Sequence, residues 1–230
     1  MNKKKRAGIK ACDFVEDKMI VGLGTGSTAY YMIEELGKRK LDIKVVATSN
    51  QTKKLALEFG LDFLELEEVN HIDLTIDGVD EIDPAFNAIK GGGGALLYEK
   101  IVSTNSSKVI WIMDDSKLKD ALGEFYLPVE VIEFGHNLVF EKFKKLGLNP
   151  KIRIKDNQVF KTDSNNIIID LYLEKPIDIK KIKTILNNTA GVVEDGLFLN
   201  VCDLIVVGYD DKVEVIENKT EKAQIDFQQD

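Results

Sequence analysis

The sequence predicts an α/β protein in which a mostly parallel, Rossmann-like sheet domain carries a smaller, inserted α+β domain of the ferredoxin-like kind. Three observations predict it. Short apolar runs alternate with segments of helical spacing in the first half of the chain, the order then changes to β-α-β-β-α-β, and one more apolar segment follows near the end. Buried strands that alternate with short helices indicate a parallel sheet, because parallel neighbours need a crossover connection.

The larger domain is predicted to comprise residues 1–126 and 203–230. Its strands are short apolar runs, at residues 19–24, 44–48, 73–78 and 108–114. Its helices have apolar residues at helical spacing, at residues 27–39, 49–60 and 94–104. Because the ligands of such sheets bind at the carboxyl ends of the strands, the loops that follow these strands are the candidate functional segments.

The smaller domain is predicted over residues 127–202, where the pattern changes. Strand, helix, strand, strand, helix and strand follow one another at residues 127–134, 136–147, 151–155, 165–173, 177–188 and 191–200. This is the order of a ferredoxin-like domain. The last apolar segment, residues 202–218, is expected to rejoin the first sheet, which makes the smaller domain an insertion.

Composition and charge limit the classes of function. The 230 residues are 44% hydrophobic and 30% charged, enough apolar side chains for one large domain or two smaller ones. The net charge of -8 argues against a nucleic-acid or membrane surface, so an anionic ligand should be small and bound by local lysines. The only two cysteines, Cys12 and Cys202, lie far apart in the sequence and lack metal-ligand spacing. A disulfide framework is therefore not expected, which favours a reduced compartment. The basic N-terminus, MNKKKR, has no apolar segment behind it, and a cytoplasmic protein is predicted.

GLGTGSTA, residues 22–29, joins the first predicted strand to the first helix. The backbone N–H groups of such a turn and the helix dipole favour an anion, and Ser27 and Thr28 add hydroxyl donors. A dinucleotide fingerprint would need glycine where Ser27 stands and an acid at the end of the next strand, which instead ends in Thr48 and Ser49. A phosphate monoester site is therefore favoured over a plain tight turn.

TIDGVDEID, residues 75–83, places Asp77, Asp80, Glu81 and Asp83 in the loop after a buried strand. A calcium loop is one interpretation, but its spacing would put a proline, which has no ligating side chain, at the last ligand position. Carboxylates at the carboxyl end of a strand otherwise indicate contacts to a polyhydroxylated ligand, since they accept hydrogen bonds from hydroxyl groups. For Glu81 and Asp83 a solvated loop is an equal alternative.

KGGGGALLYEKIV, residues 90–102, begins with Lys90 and four glycines and carries Glu99 in the helix that follows. Four residues of minimal side chain indicate either a flexible hinge or a close approach of a ligand to the backbone. Glu99, and Lys117 after the next strand, would alone be ordinary surface residues, but the neighbouring loops favour a shared site. The two histidines lie outside these loops, so acid–base chemistry would depend on carboxylates.

Seven segments, in this order, together resemble the A-type ribose-5-phosphate isomerases: GLGTGSTA, TSNQT, TIDGVDEID, KGGGGALLYEKI, SKL, LGEFYLPVEV and GVVEDGLF. The resemblance covers almost the whole chain. It implies interconversion of D-ribose 5-phosphate and D-ribulose 5-phosphate in the non-oxidative branch of the pentose phosphate pathway, with no metal and no organic cofactor. It also implies a homo-oligomer, a dimer or tetramer, that needs neither nucleic acid nor membrane.

By position, the resemblance implies that Glu99, Asp77 and Lys90 are catalytic. Glu99 would move a proton between C2 and C1 of a cis-enediolate, Lys90 and loop N–H groups would stabilise the charged oxygens, and Asp77 would orient hydroxyls. The sequence does not divide the roles of Asp77, Asp80 and Glu99 further. The implied substrate contacts are Thr25, Gly26, Ser27, Thr28, Asp77, Gly78, Val79, Asp80, Lys90, Gly91, Gly92, Gly93 and Lys117.

Two alternative functions are compatible with a fold of this kind. A sugar-phosphate sensor of related fold would bind the ligand without turnover, but no segment remains for a DNA-binding helix pair, and Glu99 with Lys90 favours an enzyme. An isomerase of amino-sugar phosphates would be expected to place a histidine near the carboxylates, and the sequence has none there. Two segments, WIMDDSK and TDSNN, depart from the family pattern, and the second affects a turn of the small domain rather than the chemistry.

Overall fold

The computed structural model of the chain describes residues 2–219. Its helices are α1 Lys3–Ala11, α2 Ser27–Arg39, α3 Asn50–Glu58, α4 Leu96–Thr104, α5 His136–Lys145 and α6 Ile179–Asn187. Its strands are β1 Ile20–Leu23, β2 Lys44–Ala47, β3 Asp62–Phe63, β4 Ile72–Gly78, β5 Glu81–Ile82, β6 Ala88–Ile89, β7 Ser106–Asp114, β8 Leu127–Val131, β9 Pro150–Ile152, β10 Ile154–Lys155, β11 Gln158–Val159, β12 Ile167–Leu171, β13 Val192–Asp195, β14 Leu197–Phe198, β15 Leu204–Gly208 and β16 Val213–Glu217. Within the described range no helix combines the length and the apolar character needed to cross a membrane.

Seven strands form the large sheet, in the order β16-β15-β7-β4-β1-β2-β3. All neighbours run parallel except β16, which pairs antiparallel with β15. From β1 the chain proceeds outward through β2 to β3, and from β4 it proceeds in the opposite direction to β7 and β15. The loops after β1 and β4 therefore diverge, which is where an open α/β sheet forms its ligand crevice. The predicted Rossmann-like sheet is confirmed, including the return of the last segment as β15 and β16.

Helices cover both faces of the large sheet. α1 and α2 pack on one face, where Ala11 and Met32 join Leu74 of β4 in one apolar core. α4 lies on the other face, where the glycine at position 22 leaves room for it, because a Cβ there would be 2.7 Å from Cγ1 of Val102. α4 also contacts β8 and β13 of the small sheet. The helix that carries Glu99 is therefore held between the two sheets.

α1 is not among the predicted elements. Its sequence, KKKRAGIKA, is mostly charged, and only Ala7, Gly8 and Ala11 are buried, too few to give a helical signal. Gly8 permits close packing on α2, because a Cβ there would lie 2.9 Å from the backbone nitrogen of Met32. Asn2 caps the helix, because its side-chain oxygen accepts a hydrogen bond of 2.9 Å from the backbone nitrogen of Lys4. The basic N-terminus is thus an integral helix of the large domain.

The small sheet has four antiparallel strands in the order β13-β8-β12-β9. With α5 after β8 and α6 after β12, this is the predicted ferredoxin-like arrangement. Two predicted strands are interrupted, however. KIRIK divides at Arg153 into β9 and β10, and β10 pairs with β11 as a separate hairpin. GVVEDGLFLN divides at Gly196, where a Cβ would lie 2.4 Å from the carbonyl oxygen of Lys90.

The two sheets have separate apolar cores, and Phe143 and Leu186 are buried at the centre of the smaller one. A three-stranded sheet, β14-β6-β5, joins the exit from the small sheet to the segment after β4. Its middle strand, β6, leads directly into Lys90. The predicted domain boundaries stay a prediction, and the last part of the larger domain, residues 220–230, lies outside the described residues.

Candidate active site

A cavity of about 210 Å³ lies at the carboxyl ends of β1 and β4, where the strand order reverses. All the predicted site residues except Asp77 line it, together with Lys4, which was not predicted. The lining residues are Lys4, Thr25, Gly26, Ser27, Thr28, Gly78, Val79, Asp80, Lys90, Gly91, Gly92, Gly93, Glu99 and Lys117.

The loop between β1 and α2 presents the start of a helix to this cavity. α2 begins at Ser27, and Gly26 before it has a φ of 117°, which favours glycine. Gly24 is required for a different reason, because a Cβ there would lie 1.9 Å from Oδ1 of Asp77. The first turn of α2 contains no acidic residue. Its N–H groups and the hydroxyls of Ser27 and Thr28 are therefore suited to bind an anion, and this loop is the candidate anion site.

The side chain of Thr25 is used to hold this loop in place. Its Oγ1 lies 2.9 Å from Oγ1 of Thr48, 2.8 Å from Oγ of Ser49 and 2.9 Å from Oγ1 of Thr52. These three partners are buried where β2 meets α3, in the TSNQT segment. The four hydroxyls therefore fix the position of the loop beside the cavity.

Two lysines bring positive charge to the anion site. Lys117 was predicted, and Lys4 reaches the site from α1, where its Nζ donates a 2.9 Å hydrogen bond to Oγ of Ser27. The adjacent Lys3 forms a 3.0 Å ion pair with Asp115, which ties α1 to the loop after β7. In the sequence Lys4 is one of three consecutive lysines, and only the packing of α1 shows that Lys4 is the one at the cavity.

Asp77 lies beneath the cavity rather than in its wall, and it is 1% exposed. Its Oδ1 accepts hydrogen bonds from the backbone nitrogens of Thr25 and Gly78, at 3.0 and 2.6 Å. Its Oδ2 accepts a 2.9 Å hydrogen bond from Nζ of Lys90. Both carboxylate oxygens are therefore occupied, and Asp77 connects the anion-site loop to the buried lysine.

Lys90 is a fully buried cation. Its Nζ donates to the carbonyl oxygen of Gly78 at 2.6 Å and lies 3.3 Å from Oε2 of Glu99, besides its bond to Asp77. Its backbone nitrogen donates a 2.9 Å hydrogen bond to the carbonyl oxygen of Gly196. Burial alone would lower the pKa of Lys90, but the charges of Asp77 and Glu99 outweigh it and raise that pKa above its ordinary value. The amine therefore stays protonated.

Glu99 faces Lys90 from the first turn of α4 and is 4% exposed. Its Oε2 forms no hydrogen bond of acceptable geometry with the described residues. Burial raises the pKa of Glu99 to about 8, Lys90 opposes the shift, and Asp77 and Asp80 add to it. A buried carboxyl whose pKa is raised toward neutrality is suited to accept and return a proton.

The glycines after Lys90 form a fixed turn, closed by a 2.9 Å hydrogen bond from the nitrogen of Gly94 to the carbonyl oxygen of Gly91. Both have positive φ values, 85° and 94°, which favour glycine. Asp80 accepts a 2.7 Å hydrogen bond from the nitrogen of Gly92, and a Cβ on Gly92 would lie 2.8 Å from that carboxylate. Since the backbone of this turn lines the cavity, the structure favours close approach of a ligand over a hinge.

The other two acidic residues of the loop, Glu81 and Asp83, do not line the cavity. Glu81 is fully buried and accepts hydrogen bonds of 3.0, 3.2 and 2.7 Å from the backbone nitrogens of residues 123, 124 and 125. Asp83 accepts from the backbone nitrogens of residues 85 and 87, both at 2.9 Å. The solvated alternative is therefore wrong for Glu81, which anchors the entry to the small domain.

The stability of the Glu99→Gln variant, relative to wild type, is expected to increase as the pH rises. Between the ordinary pKa of 4.5 and the native value of about 8, wild-type Glu99 keeps a proton that the unfolded chain has released. Wild type therefore loses stability across this window, by up to a few kcal/mol, whereas glutamine does not titrate. The measurement is the difference in Tm between the two proteins at about pH 5 and about pH 9.

The matched control is Glu141→Gln, which removes an exposed carboxylate from α5. Its Tm difference from wild type should change little over the same range, because an exposed carboxylate is hydrated in both states. A Tm difference for Glu99→Gln that is equally independent of pH would contradict a raised pKa at this position.

Along most of its length the chain is similar to one protein family. The sequence model described as ribose 5-phosphate isomerase A (phosphoriboisomerase A) matches residues 44–212. A relative from Streptococcus pneumoniae (strain Hungary19A-6), named ribose-5-phosphate isomerase A, is 48% identical over 225 residues, which cover 96% of this chain and 99% of the relative.

Two solved structures have a similar fold. Ribose 5-phosphate isomerase from Plasmodium falciparum superposes with a TM-score of 0.89 at 37% identity, over 94% of this chain and 98% of that one. A D-ribose-5-phosphate isomerase in complex with phospho-erythronic acid superposes with a TM-score of 0.88 at 36% identity, over 94% of this chain and 100% of that one.

Proposed function

This chain belongs to the ribose 5-phosphate isomerase A family, and on that premise we propose that it interconverts D-ribose 5-phosphate and D-ribulose 5-phosphate in the cavity beside β1 and β4. The observation that carries the proposal is the buried pair of Glu99 and Lys90, whose Oε2 and Nζ atoms lie 3.3 Å apart. An aldose–ketose exchange needs a base that can return a proton and a cation that stabilises the intermediate. Both line a cavity that also contains an anion site.

The reaction moves one proton between adjacent carbons of the open-chain sugar. Glu99 takes the proton from C2, a C1–C2 double bond forms, and the electrons of the aldehyde carbonyl move onto O1. A proton then passes from O2 to O1, Glu99 returns its proton to C1, and the carbonyl is now at C2. Because C1 and C2 of a planar cis-enediolate are adjacent and present the same face to Glu99, one carboxylate can serve both carbons.

Lys90 and the glycine turn stabilise the charge that develops on O1 and O2. A preorganised cation and backbone N–H groups in a site shielded from water act more strongly than they would in water. Phospho-erythronic acid, the compound bound in one relative, supports this assignment. Its carboxylate is planar and shares negative charge between two oxygens, and the enediolate is likewise planar, with its two oxygens on adjacent carbons.

The two loop aspartates take different roles in this proposal. Asp80 lines the cavity and is placed to accept hydrogen bonds from sugar hydroxyls. Asp77 has both oxygens occupied by protein donors, so it acts through Lys90, which it holds beside Glu99. Glu99 is the proton shuttle, because it alone among the three has an oxygen that is buried and without a hydrogen bond.

Loss of either lysine at the anion site is expected to raise KM for ribose 5-phosphate. Lys117→Ala and Lys4→Met each remove a cation from the phosphate end, at a cost of about 1.5–3 kcal/mol for a hydrogen bond to a charged group, roughly tenfold or more in KM. The kcat should change little, because neither lysine is near the reacting carbons. Steady-state kinetics at low and high salt are the measurement, and the effect should shrink as salt screens the charges.

Lys5→Met is the control for these two variants, since Lys5 is in the same helix but pairs with Glu34 and does not line the cavity. Its KM should match that of wild type. Changes in KM that are the same at both salt concentrations would instead indicate a packing role for Lys4 or Lys117.

The proposed activity is tested by incubating the purified chain with D-ribose 5-phosphate and following formation of the ketose. Formation of D-ribulose 5-phosphate is the expected result. Binding of the sugar phosphate without turnover would favour the sensor, and release of ammonia from an amino-sugar phosphate would favour the other isomerase. Either outcome would contradict the proposal.

The proposal includes a homo-oligomer, a dimer or tetramer, that works in the cytoplasm, as the family resemblance implies. Phe134 and Leu138, which are 91% and 72% exposed on the small domain, support a contact between chains there, because burial of large apolar side chains between two chains is favourable. Sedimentation of the purified chain at micromolar concentration is the measurement. A monomer as the sole species would contradict this part of the proposal.

A further inference from the structure

The glycine turn after Lys90 separates two cavities. One is the cavity that Glu99 and Lys90 line. The other, of about 460 Å³, lies on the small-domain side and shares with the first only the backbone of Gly92 and Gly93. Arg153, at the break between β9 and β10, lies in the wall of this second cavity. The turn is therefore contacted on one side by the large domain and on the other by an arginine of the small domain.

Arg153 binds the carbonyl side of the glycine turn. Its Nη1 donates to the carbonyl oxygens of Gly91 and Gly92, at 2.8 and 3.1 Å. Its Nε donates a 2.9 Å hydrogen bond to Asp170, and Nη2 donates to the other oxygen of the same carboxylate. One planar guanidinium thus bonds to two carbonyls and a carboxylate at once, which the single ammonium group of a lysine could not match.

This guanidinium is held firmly. Asp170, on β12, is 6% exposed and balances its charge. The rings of Tyr126 and Phe160 also lie close to it, with centroids 5.4 and 5.9 Å from the guanidinium carbon. Phe160 also packs against the turn itself, because a Cβ on Gly94 would lie 2.3 Å from its ring. The position of Arg153 is therefore determined by the small domain.

The contact with Arg153 also fixes the direction of the peptide N–H groups in the glycine turn. A trans peptide is planar, with its N–H opposite its C=O. The carbonyl of Gly91 points to Arg153, and the N–H of Gly92 accordingly points the other way, to Asp80. The carbonyl of Gly92 also points to Arg153, so the N–H of Gly93 points away from Arg153. Among the described residues this N–H has no acceptor, although Gly93 lines the cavity.

We propose that Arg153 is a positioning residue of the isomerase. By holding the carbonyls of Gly91 and Gly92, it directs the N–H of Gly93 into the catalytic cavity as a donor to one enediolate oxygen. The positive charge at the carbonyl oxygen also polarises the peptide unit, which strengthens the N–H as a donor. This inference rests on the proposed function, and it makes the small domain a contributor to catalysis.

The test is Arg153→Met, which keeps much of the length and removes every donor. Loss of an oxyanion donor costs about 10²–10³-fold in kcat, and misdirection of one is expected to cost roughly tenfold or more. KM for ribose 5-phosphate should stay within about threefold, because the phosphate contacts come from the large domain and are not altered. A purely structural role would instead lower Tm without this separation of kcat from KM.

A pair of ligands isolates the donor itself. D-Erythronate 4-phosphate carries a carboxylate where the enediolate oxygens would lie, and D-erythritol 4-phosphate carries an uncharged alcohol there. Arg153→Met is expected to weaken binding of the erythronate by about tenfold or more, in line with the loss of a charge-assisted hydrogen bond, and binding of the erythritol much less. Equal losses for the two ligands would overturn the inference.

Two further variants complete the experiment. Lys151→Met is the matched control, since Lys151 lines the same second cavity, with its Nζ 4.0 Å from the centroid of Tyr172. Among the described residues it forms no hydrogen bond with the glycine turn. Its kcat should equal that of wild type. Arg153→Lys keeps a charge beside Asp170 and serves if Arg153→Met does not fold, and it should still lose kcat.

The outcomes are separable from those of the proposed function. If wild type does not turn over ribose 5-phosphate, the proposed function fails and so does the inference that rests on it. If wild type is active and folded Arg153→Met and Arg153→Lys both keep kcat within about twofold, the inference alone is overturned, since a donor is worth far more than that.

Discussion

Glu99→Gln is expected to lower kcat by at least about 10²-fold, the lower bound of what a general acid–base group contributes. Glutamine keeps the shape of the side chain and can still lie beside Lys90, but it cannot accept a proton. KM for ribose 5-phosphate should change by only a few fold, because the anion-site loop and its lysines are untouched. The measurement is steady-state kinetics on folded, purified protein, with ligand affinity determined separately.

Glu99→Asp is the companion variant, because the carboxylate survives but retreats by one methylene. Positional errors of about 1 Å can cost on the order of 10²-fold, so this variant should be impaired yet measurable. Asp77→Asn and Asp80→Asn address the rival assignment, in which a loop aspartate is the base. If Glu99→Gln retains more than about a tenth of wild-type kcat, the loss is smaller than a general acid–base group contributes. The shuttle must then be sought among those aspartates.

The sequence could place most of this site because its residues lie at strand ends. Apolar runs locate β1, β4 and the strand before Lys117, and a parallel sheet brings their carboxyl ends to one edge. That reasoning predicts which loops share a crevice, but it gives no distances between their side chains. It could not show that both oxygens of Asp77 are taken by protein donors, because that depends on how closely two loops approach. Asp77 therefore looks in the sequence like a substrate contact and in the structure like a support for Lys90.

Lys4 and Arg153 could not be found from the sequence, for related reasons. Lys4 belongs to a charged segment whose helix has only three buried residues, so nothing in the pattern distinguishes it from its neighbours. Arg153 is the middle residue of KIRIK, which has the alternation of an amphipathic strand and predicts a continuous one. The strand breaks there because the arginine turns to Asp170 and the glycine turn. Such contacts between distant segments carry no local signal.

Lys90→Met is expected to reduce both turnover and stability strongly. Without the ammonium group, the Asp77 carboxylate is buried with no counter-charge, and breaking a buried ion pair in this way costs about 3–5 kcal/mol. The enediolate also loses its neighbouring cation, and removal of such stabilisation costs about 10²–10³-fold in kcat or more. The loss of stability should be smaller at low pH, because protonation of Asp77 removes the uncompensated charge. Thermal unfolding at several pH values and steady-state kinetics are the measurements.

Lys100→Met is the matched control for this prediction. Lys100 is a partly buried lysine near the same aromatic ring: its Nζ lies 4.8 Å from the centroid of Phe198, and that of Lys90 lies 5.3 Å from it. Lys100 pairs with Glu194 at 2.8 Å, outside the cavity. Its loss should lower Tm with little effect on kcat. Adding Asp77→Asn to Lys90→Met should restore part of the stability, because one unpaired charge is removed, and none of the turnover. If the double variant recovered kcat, or if Lys90→Met alone kept it, Lys90 would be a structural partner of Asp77 and not the cation that stabilises the enediolate.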